Sequence, residues 1–310
     1  MGQCTSCDKT LENLGSPGCL IPFGVPVAPI IVPTKDSDGN FNEIDIASYT
    51  GSQSEWDART QNLDRTQRYF PLPAMKNVND VRAEDRTESF EDESTVSLGE
   101  GPRTYTAEIV EEANPELLKS LKSWKCQKFS MFLRDDCGNL WGVLSPDGTK
   151  FRPFRINRKT WSARWASATG TTATKLLLTF EFNKFIKDEN MRVFNADQSE
   201  IDLLEDIEGL VDVEGEVVSG TISQTGVTVD LKFDNGSAVL KPLEGLVLAD
   251  FTLLQNLTDD LPVTILTATE SATTPGRYAL TFASQDVSDE LELSFIAGLN
   301  ELEGLKWTVV

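Results

Sequence analysis

The stretch that decides the fold runs from residue 102 to residue 144 and reads PRTYTAEIVEEANPELLKSLKSWKCQKFSMFLRDDCGNLWGVL. Its first nine residues, 102–110, are rich in β-branched and aromatic side chains and predict a strand. Asn114, Pro115 and Glu116 then predict the start of a helix. Asn is a good N-cap, Pro fits the first helical turn, and an acid there suits the helix dipole. The stretch therefore predicts a strand followed by a short amphipathic helix.

The remainder of the middle region predicts further strands. Residues 128–134 predict a strand, 135–139 a turn and 140–144 the returning strand, since Asp, Gly and Asn separate two apolar runs. Residues 176–182 (LLLTFEF) give the clearest later strand. The sequence thus predicts, over residues 81–195, a β-sandwich or barrel domain with one flanking helix, which we interpret as an assembly domain.

The last hundred residues predict a second β domain. Several runs there have strand composition, and turn signals such as Asp234-Asn235-Gly236 separate some of them. The candidate strands are Val213–Ser219, Val227–Phe233, Val239–Lys241, Val247–Leu254, Val263–Ala268, Tyr278–Phe282 and Leu291–Phe295. This number of strands in about one hundred residues is typical of an immunoglobulin-like β-sandwich, which we predict for residues 196–310.

The first 80 residues predict a long extended N-terminal arm. The most apolar run, Leu20–Val32, is interrupted by prolines, which remove backbone donors and favour polyproline-like geometry. Residues 48–93 are polar and rich in turn formers, and they predict long loops. Such an arm has little to bury by itself, so we expect it to be held by other copies of the chain. Overall, the predicted fold class is mainly β.

The charge of the chain is strongly asymmetric. Of 310 residues, 28 are basic and 49 acidic, which gives a formal net charge of −21. Residues 196–310 carry only four of the basic and 22 of the acidic side chains. This step in composition predicts a domain boundary near residue 195.

The chain contains no His. A Ser-His-Asp triad, a Cys-His pair and a His-ligated zinc are therefore excluded within one chain, and we predict that the protein is not an enzyme and has no catalytic residues. No metal or cofactor is predicted. Cys4, Cys7 and Cys19 supply three thiols where a structural zinc site needs four ligands, and the calcium-like loop at 34–45 has no helix before it. Five cysteines, an odd number, predict free thiols rather than a disulfide framework.

Two charged segments are candidate binding surfaces. Residues 119–164 carry 11 basic and three acidic side chains, interleaved with aromatic residues. We predict that the aromatics form a core and that the bases form an interface between subunits; the alternative is a DNA-binding module. The candidate subunit-interface residues are Lys128, Arg134, Arg152, Arg155, Arg158 and Lys159. A second segment is an acidic loop at 84–93, and its candidate channel-facing residues are Glu84, Asp85, Glu88, Glu91, Asp92 and Glu93.

In the order of these features the chain resembles the major tail tube proteins of tailed bacteriophages. The features are the acidic loop at 84–93, the strand PRTYTAEIV, the helix NPELLKSLKSW, the hairpin FSMFLRDDCGNLWGV and the appended sandwich. The resemblance implies a virion structural protein, assembled in the host cytoplasm, whose rings of six stack into a tube with a negatively charged lumen.

The partners that the resemblance implies are further copies of the chain, other virion proteins and DNA that passes without specific binding. It implies neither a membrane nor a small-molecule substrate. The alternatives are another virion component (a head decoration, connector or baseplate protein), the DNA-binding module and a carbohydrate-binding protein.

Overall fold

The computed structural model describes residues 23–91, 94–296, 300–302 and 304–310. The chain divides into two compact units, the first ending at Gly209 and the second spanning Leu210–Val310. The division lies after the boundary expected near residue 195, because Leu203 and Ile207 are still buried in the core of the first unit. Composition marks where the charge changes, whereas the division marks where packing contacts end.

The first unit is built mainly from strands. Eleven of its strands form one sheet, in which β2, β10, β9, β8, β11, β12, β7 and β4 follow one another and β1, β3 and β13 pair at the side. The remaining two, β5 and β6, pair only with each other. The bounds are β1 Ala28–Pro33, β2 Ile44–Asp45, β3 Phe70–Pro71, β4 Lys76–Arg82, β5 Arg86–Ser89, β6 Thr95–Gly99, β7 Arg103–Ile109, β8 Phe129–Arg134, β9 Leu140–Leu144, β10 Lys150–Arg152, β11 Phe154–Ala166, β12 Lys175–Phe182 and β13 Met191–Phe194.

The described part of the chain contains two α-helices, α1 at Gln53–Thr60 and α2 at Pro115–Ser123. The prediction for α2 is confirmed in detail, since the Asn114 side chain accepts a hydrogen bond from the Leu117 N–H at 2.7 Å. Its apolar face packs on the sheet, where Leu121 is buried and its carbonyl accepts from the Trp161 indole at 2.6 Å. The predicted strands at 102–110, 128–134, 140–144 and 176–182 are confirmed as β7, β8, β9 and β12.

The large sheet has apolar residues on both faces at its centre. Successive residues of a strand point to opposite faces, so Ile31 and Met131 join one hydrophobic cluster while Ile30 and Phe132 join another. All six residues of β1 and all six of β8 are buried. A strand buried on both faces has a continuous apolar sequence, which explains why Ile30-Ile31-Val32 shows no alternation.

The prediction of an extended N-terminal arm over residues 1–80 is wrong for the described residues from 23 onward. Residues 28–32 of the apolar run lie in β1, which pairs antiparallel with β8, with Ile30 opposite Phe132. The prolines do not prevent this strand from forming, because Pro29 and Pro33 lie near its ends. The neighbouring strands supply the apolar surface on which its side chains are buried. This segment is held by its own chain, and the part of the prediction that concerns residues 1–22 lies outside the described residues.

The prediction of long loops over residues 48–93 is also wrong. The segment contains α1, β3, β4 and β5, and the predicted acidic loop at 84–93 lies mostly in a β-hairpin made by β5 and β6. Helix α1 has a weak amphipathic pattern, and among its described residues only Trp56 and Thr60 are buried. Tertiary packing of these two residues stabilises a helix that local propensity does not indicate.

The second unit is a two-sheet β structure around its own core. One sheet runs β19, β20, β15, β14, β22, with β16 beside β15, and the other runs β18, β17, β21, β23. Val229 and Leu231 of one sheet share a cluster with Leu291 and Trp307 of the other. The bounds are β14 Val211–Val217, β15 Gly226–Phe233, β16 Lys241–Pro242, β17 Phe251–Asn256, β18 Leu261–Pro262, β19 Ile265–Glu270, β20 Arg277–Phe282, β21 Glu290–Ile296, β22 Asn300–Leu302 and β23 Leu305–Thr308.

The mainly β fold class is confirmed in both units. The seven strands predicted for the C-terminal region match β14, β15, β16, β17, β19, β20 and β21 within a few residues, and β18, β22 and β23 are additional. Among the described residues, no helix combines the length and the apolar character needed to cross a bilayer.

Candidate assembly surface

The hairpin of β5 and β6 projects from the first unit without packing on it. Every described side chain from Ala83 to Glu100 is exposed. The turn is closed by the Phe90 N–H, which donates to the Ser94 carbonyl at 2.9 Å. An isolated two-stranded hairpin is at best marginally stable in water, so this element needs a partner surface to be well ordered.

One face of this hairpin combines an acid with apolar side chains. Glu88 lies directly opposite Val96 in the register, and Phe90 follows Glu88 by two residues. Because side chains alternate along a strand, Glu88, Phe90 and Val96 share one face, which we call the hairpin face. Phe90 is 48% and Val96 49% exposed. Thr87, Ser89 and Thr95 lie on the opposite face.

The base of the hairpin is fixed by two arginines. Arg82 makes a bidentate contact with Asp188, with both N–O distances 2.7 Å, and also donates to the Ile186 carbonyl at 3.0 Å. Arg103 forms a bidentate pair with Asp80, and both of these side chains are buried. The hydrogen bonds from Arg82 lower the pKa of Asp188. A rigid base therefore carries an exposed hairpin.

The base network also holds the segment that borders a cavity. This cavity of about 220 Å³ is lined by apolar residues that include Val143, Leu144 and Ile186, and by the basic side chains Arg152 and Arg155. Its lining is Thr34, Phe41, Asn42, Ser130, Val143, Leu144, Pro146, Arg152, Pro153, Arg155, Asn183, Phe185, Ile186 and Asn190, and we call it the Phe41 cavity. Phe185 at its edge is 79% exposed, the highest value among the exposed large apolar side chains described.

The Phe41 ring concentrates positive charge at the mouth of this cavity. Three cations lie over the ring, with Lys35 Nζ 4.7 Å, Arg152 Cζ 5.2 Å and Arg155 Cζ 5.1 Å from its centroid. Arg152 is also paired with Glu43 at 2.6 Å. Arg155 is exposed, and no carboxylate among the described residues forms an ion pair with it. The cavity mouth is therefore basic and can accept an acidic partner.

A second cavity of about 380 Å³ borders the same Phe41 ring and is polar. Its charged groups include Glu55 and Arg59, which pair with each other at 2.8 Å. This pairing leaves Asp36 and Glu43 as the remaining charged groups of its lining, so the second cavity is acidic, whereas the Phe41 cavity is basic.

The six predicted basic interface residues lie in different environments. Lys128, Arg155, Arg158 and Lys159 are exposed, and Arg152 is half-buried in its pair with Glu43. The prediction is wrong for Arg134, which is 2% exposed. The Arg134 guanidinium donates to backbone carbonyls inside the first unit, so it stabilises the fold and cannot meet a neighbouring subunit.

Four of the six predicted acidic residues lie on the hairpin or just before it. Glu84 and Asp85 precede β5, Glu88 lies in β5 and Glu91 lies at the turn, and all four are exposed. Asp92 and Glu93 lie outside the described residues. The structure therefore places these carboxylates on a projecting element rather than on a wall of the sheet.

The aromatic residues of segment 119–164 are mostly core residues. Phe129, Phe132, Phe154 and Trp161 are buried, and Trp161 is hydrogen-bonded inside the unit. The interpretation of these aromatics as a core is confirmed. These buried rings cannot stack with bases, since stacking requires exposed rings, whereas Trp165, just beyond the segment, is 41% exposed.

One group of possible metal ligands occurs among the described residues. Asp135, Asp136 and Cys137 bring three ligand atoms within 4.8 Å of one another. The buried Asp135 carboxylate already accepts from the Trp141 indole and the Asn139 amide at 2.8 and 2.9 Å. Cys137 is disulfide-bonded, so the expectation of free thiols is wrong there, whereas Cys126 is free and exposed. These residues hold a turn in place, and Cys4, Cys7 and Cys19 lie outside the described residues.

Sequence reasoning missed the cavity and its aromatic residues. Phe41 and Phe185 each lie in a polar stretch, where an isolated aromatic gives only a weak signal. The hairpin had a detectable signal, since Thr87, Phe90 and Val96 flank a polar turn, but its acidic composition favoured a loop.

No protein-family model matches the sequence, and no curated protein matches it significantly.

Proposed function

We propose that this chain is a self-assembling structural subunit, and specifically the tail tube subunit of a bacteriophage virion, which forms stacked rings around a DNA conduit. The observation that carries the proposal is the exposed hairpin of β5 and β6. Its apolar side chains, Phe90 and Val96, lie in water in the isolated chain. Burying the exposed part of each against a neighbour contributes about 1 kcal/mol, in line with the area of apolar surface removed from water.

The support for self-assembly comes from the hairpin and not from the N-terminal segment. The described N-terminal residues are held by their own sheet, so they no longer indicate a need for neighbouring copies. The hairpin replaces them as the element with unsatisfied surface. The tail tube assignment rests on the resemblance and on a mainly β first unit flanked by α2.

The acidic residues of the hairpin have two possible roles in such an assembly, a channel lining or a contact with a neighbour. Phe90 and Val96 share a face with Glu88. An apolar face that lined an aqueous channel would remain in water, so this arrangement favours a contact. The channel role stays a prediction for Glu84 and Asp85, which precede the hairpin strands.

The test is the state of the purified full-length chain. We expect concentration-dependent association by sedimentation velocity, and stacked rings by negative-stain electron microscopy. Phe90→Ser should weaken the association, while Val239→Ser, at a 76% exposed position in the second unit, should leave it unchanged. Two results together would contradict the proposal: a purified chain that remains monomeric over a wide concentration range, and virions that contain no rings.

The other virion roles are separated by location and symmetry. A head decoration, connector or baseplate protein would also self-associate, but antibody labelling of particles would find it away from the tail tube. Lys122, Lys125 and Lys128 are exposed and could attract phosphates. Strong, salt-sensitive DNA binding by the full chain would instead favour the DNA-binding module.

A further inference from the structure

We infer that the hairpin face of one copy docks into the Phe41 cavity of a second copy, with Phe90 in the cavity and Glu88 against Arg155. This inference rests on the proposed self-assembly and names the acceptor for the hairpin. The occupant is therefore a second copy of this chain. Three features of the described residues support it, namely size, charge and the position of the two surfaces.

The cavity and the aromatic side chain match in size and polarity. A cavity of roughly 150 Å³ is enough to hold benzene, and the Phe41 cavity has about 220 Å³. Its lining includes Val143, Leu144 and Ile186, whose apolar side chains can contact an entering ring. Phe185, which is highly exposed at the edge, would cover that ring and lose its own contact with water. Docking therefore buries two exposed aromatic side chains at once.

The two surfaces are complementary in charge. Around Phe41 lie Lys35, Arg152 and Arg155, with Glu43 as the acid that pairs with Arg152. The hairpin and its approach carry Glu84, Asp85, Glu88 and Glu91 against Arg86 alone, counting the described residues. Arg155 forms no ion pair within the described chain, so a carboxylate from outside can pair with it without displacing another. Electrostatic complementarity of this kind selects the partner and sets the register.

The position of the two surfaces explains why docking occurs between copies. The hairpin of each chain is exposed along its length, so it does not occupy the cavity of its own chain. Arg82 at the hairpin base contacts Ile186 and Asp188, beside the cavity edge. Because the donor and acceptor are different patches of one molecule, the contact can repeat head to tail into a ring or a helical filament, or be exchanged reciprocally in a two-fold dimer. We take the head-to-tail arrangement, since it is the one that gives the proposed rings.

A complementation experiment with the full-length chain tests the inference. Phe90→Ser makes a chain with a defective hairpin and an intact cavity. Arg155→Glu makes one with an intact hairpin and a defective cavity. We expect each variant alone to associate more weakly with itself in sedimentation velocity. Its dissociation constant should rise at least about tenfold, because Phe90→Ser removes the ring that enters the cavity and Arg155→Glu places a second negative charge beside Glu88. An equimolar mixture should form a heterodimer, since one intact hairpin meets one intact cavity.

Controls separate this inference from the proposed function. Phe185→Ser is a second cavity variant at an exposed position and should behave as Arg155→Glu does. Arg164→Glu changes the charge of an exposed residue of β11 outside the cavity and should assemble as the wild type does. If the wild type assembles and both cavity variants do so equally well, or the mixture gives no heterodimer, the acceptor is wrong and self-assembly stands. A wild type that stays monomeric overturns both.

Discussion

Arg134 shows most clearly how one residue can be misjudged from sequence. It lies in a basic segment, yet it is buried and donates to the carbonyls of Ala28, Leu72 and Leu203 at 3.1, 2.9 and 2.6 Å. These carbonyls belong to three segments that are far apart in the sequence. Burial lowers the pKa of Arg134 to about 10, so the guanidinium remains charged at neutral pH. It joins the N-terminal strand to the last residues of the first unit.

We expect Arg134→Met to destabilise the first unit strongly. The change leaves at least three buried carbonyls without a donor, at about 1 kcal/mol or more each, so the free energy of unfolding should fall by about 3 kcal/mol. Urea denaturation followed by intrinsic fluorescence measures this. Arg164→Met, at an exposed position, should change stability by no more than about 0.5 kcal/mol. Equal effects of the two substitutions would show that Arg134 has no special role.

At the scale of elements, the hairpin depends on a narrow base. The Ala83 N–H donates to the Pro102 carbonyl at 2.9 Å and so joins the two legs of the hairpin, the chain segments that lead into β5 and out of β6, and Gly101 belongs to the second leg. A Cβ on Gly101 would lie 2.4 Å from the carbonyl oxygens of Ala83 and Glu84, closer than real contacts allow. Only glycine lets the two legs approach in this way.

We expect Gly101→Ala to open the hairpin base. Overpacking of this kind typically costs about 1–3 kcal/mol, and here the cost falls on the hairpin and the ends of β4 and β7. Hydrogen exchange at the Ala83 amide should accelerate. Gly170→Ala is the matched control, since a Cβ there meets nothing within 4 Å. Unchanged protection of Ala83 would contradict this account of the base.

The Arg82–Asp188 contact at the same base gives a pH dependence. The pKa of Asp188 is lowered by the hydrogen bonds from Arg82, so the folded state binds a proton less readily than the unfolded chain. The Arg82–Asp188 contact stabilises the folded state fully at pH values above the ordinary Asp pKa of about 3.9. This stabilisation is lost as the pH falls through the lowered pKa of Asp188 in the folded state. Asp188 is 46% exposed, so solvent screening limits the contribution to at most about 1 kcal/mol.

We therefore expect Asp188→Asn to be less stable than the wild type at pH 6. The difference should disappear once the pH falls below the lowered folded-state pKa of Asp188, where the wild-type carboxylate is protonated too. Paired urea titrations across this range measure the difference. A difference that stays constant with pH would mean that Asp188 acts through packing rather than charge.

At the scale of the whole molecule, the two units have separate cores. The second unit, Leu210–Val310, has its own hydrophobic cluster drawn from both of its sheets. This region is strongly acidic, since residues 196–310 contain only four basic side chains against 22 acidic ones. Self-repulsion of that charge opposes compaction, and salt screens it.

We expect a fragment of residues 210–310 to fold alone and to gain thermal stability with added salt. Circular dichroism melts at low and high sodium chloride measure both properties. An Asp259→Asn, Asp260→Asn variant, which removes two exposed charges, should show a smaller salt effect. An unfolded fragment, or a melting temperature that does not respond to salt, would contradict this expectation.

What the sequence determined by itself is the local structure and the distribution of charge. The cap at Asn114, the alternation in Val227–Phe233 and the apolar run in β12 act between residues close in the chain, so their outcome could be predicted. The acidic cluster and the basic segment were also visible as compositions. These are the features that short-range contacts and net charge control.

What only the tertiary structure decided is which residues are buried and which meet. The placement of β1 in the sheet, the burial of Arg134 and the joining of Phe41, Arg155 and Phe185 around one cavity all depend on pairing between distant segments. Composition cannot report such pairings, because the apolar surface that accepts a strand or a guanidinium is supplied by other parts of the chain. The hairpin face became recognisable for the same reason, since its exposure is a property of the folded unit.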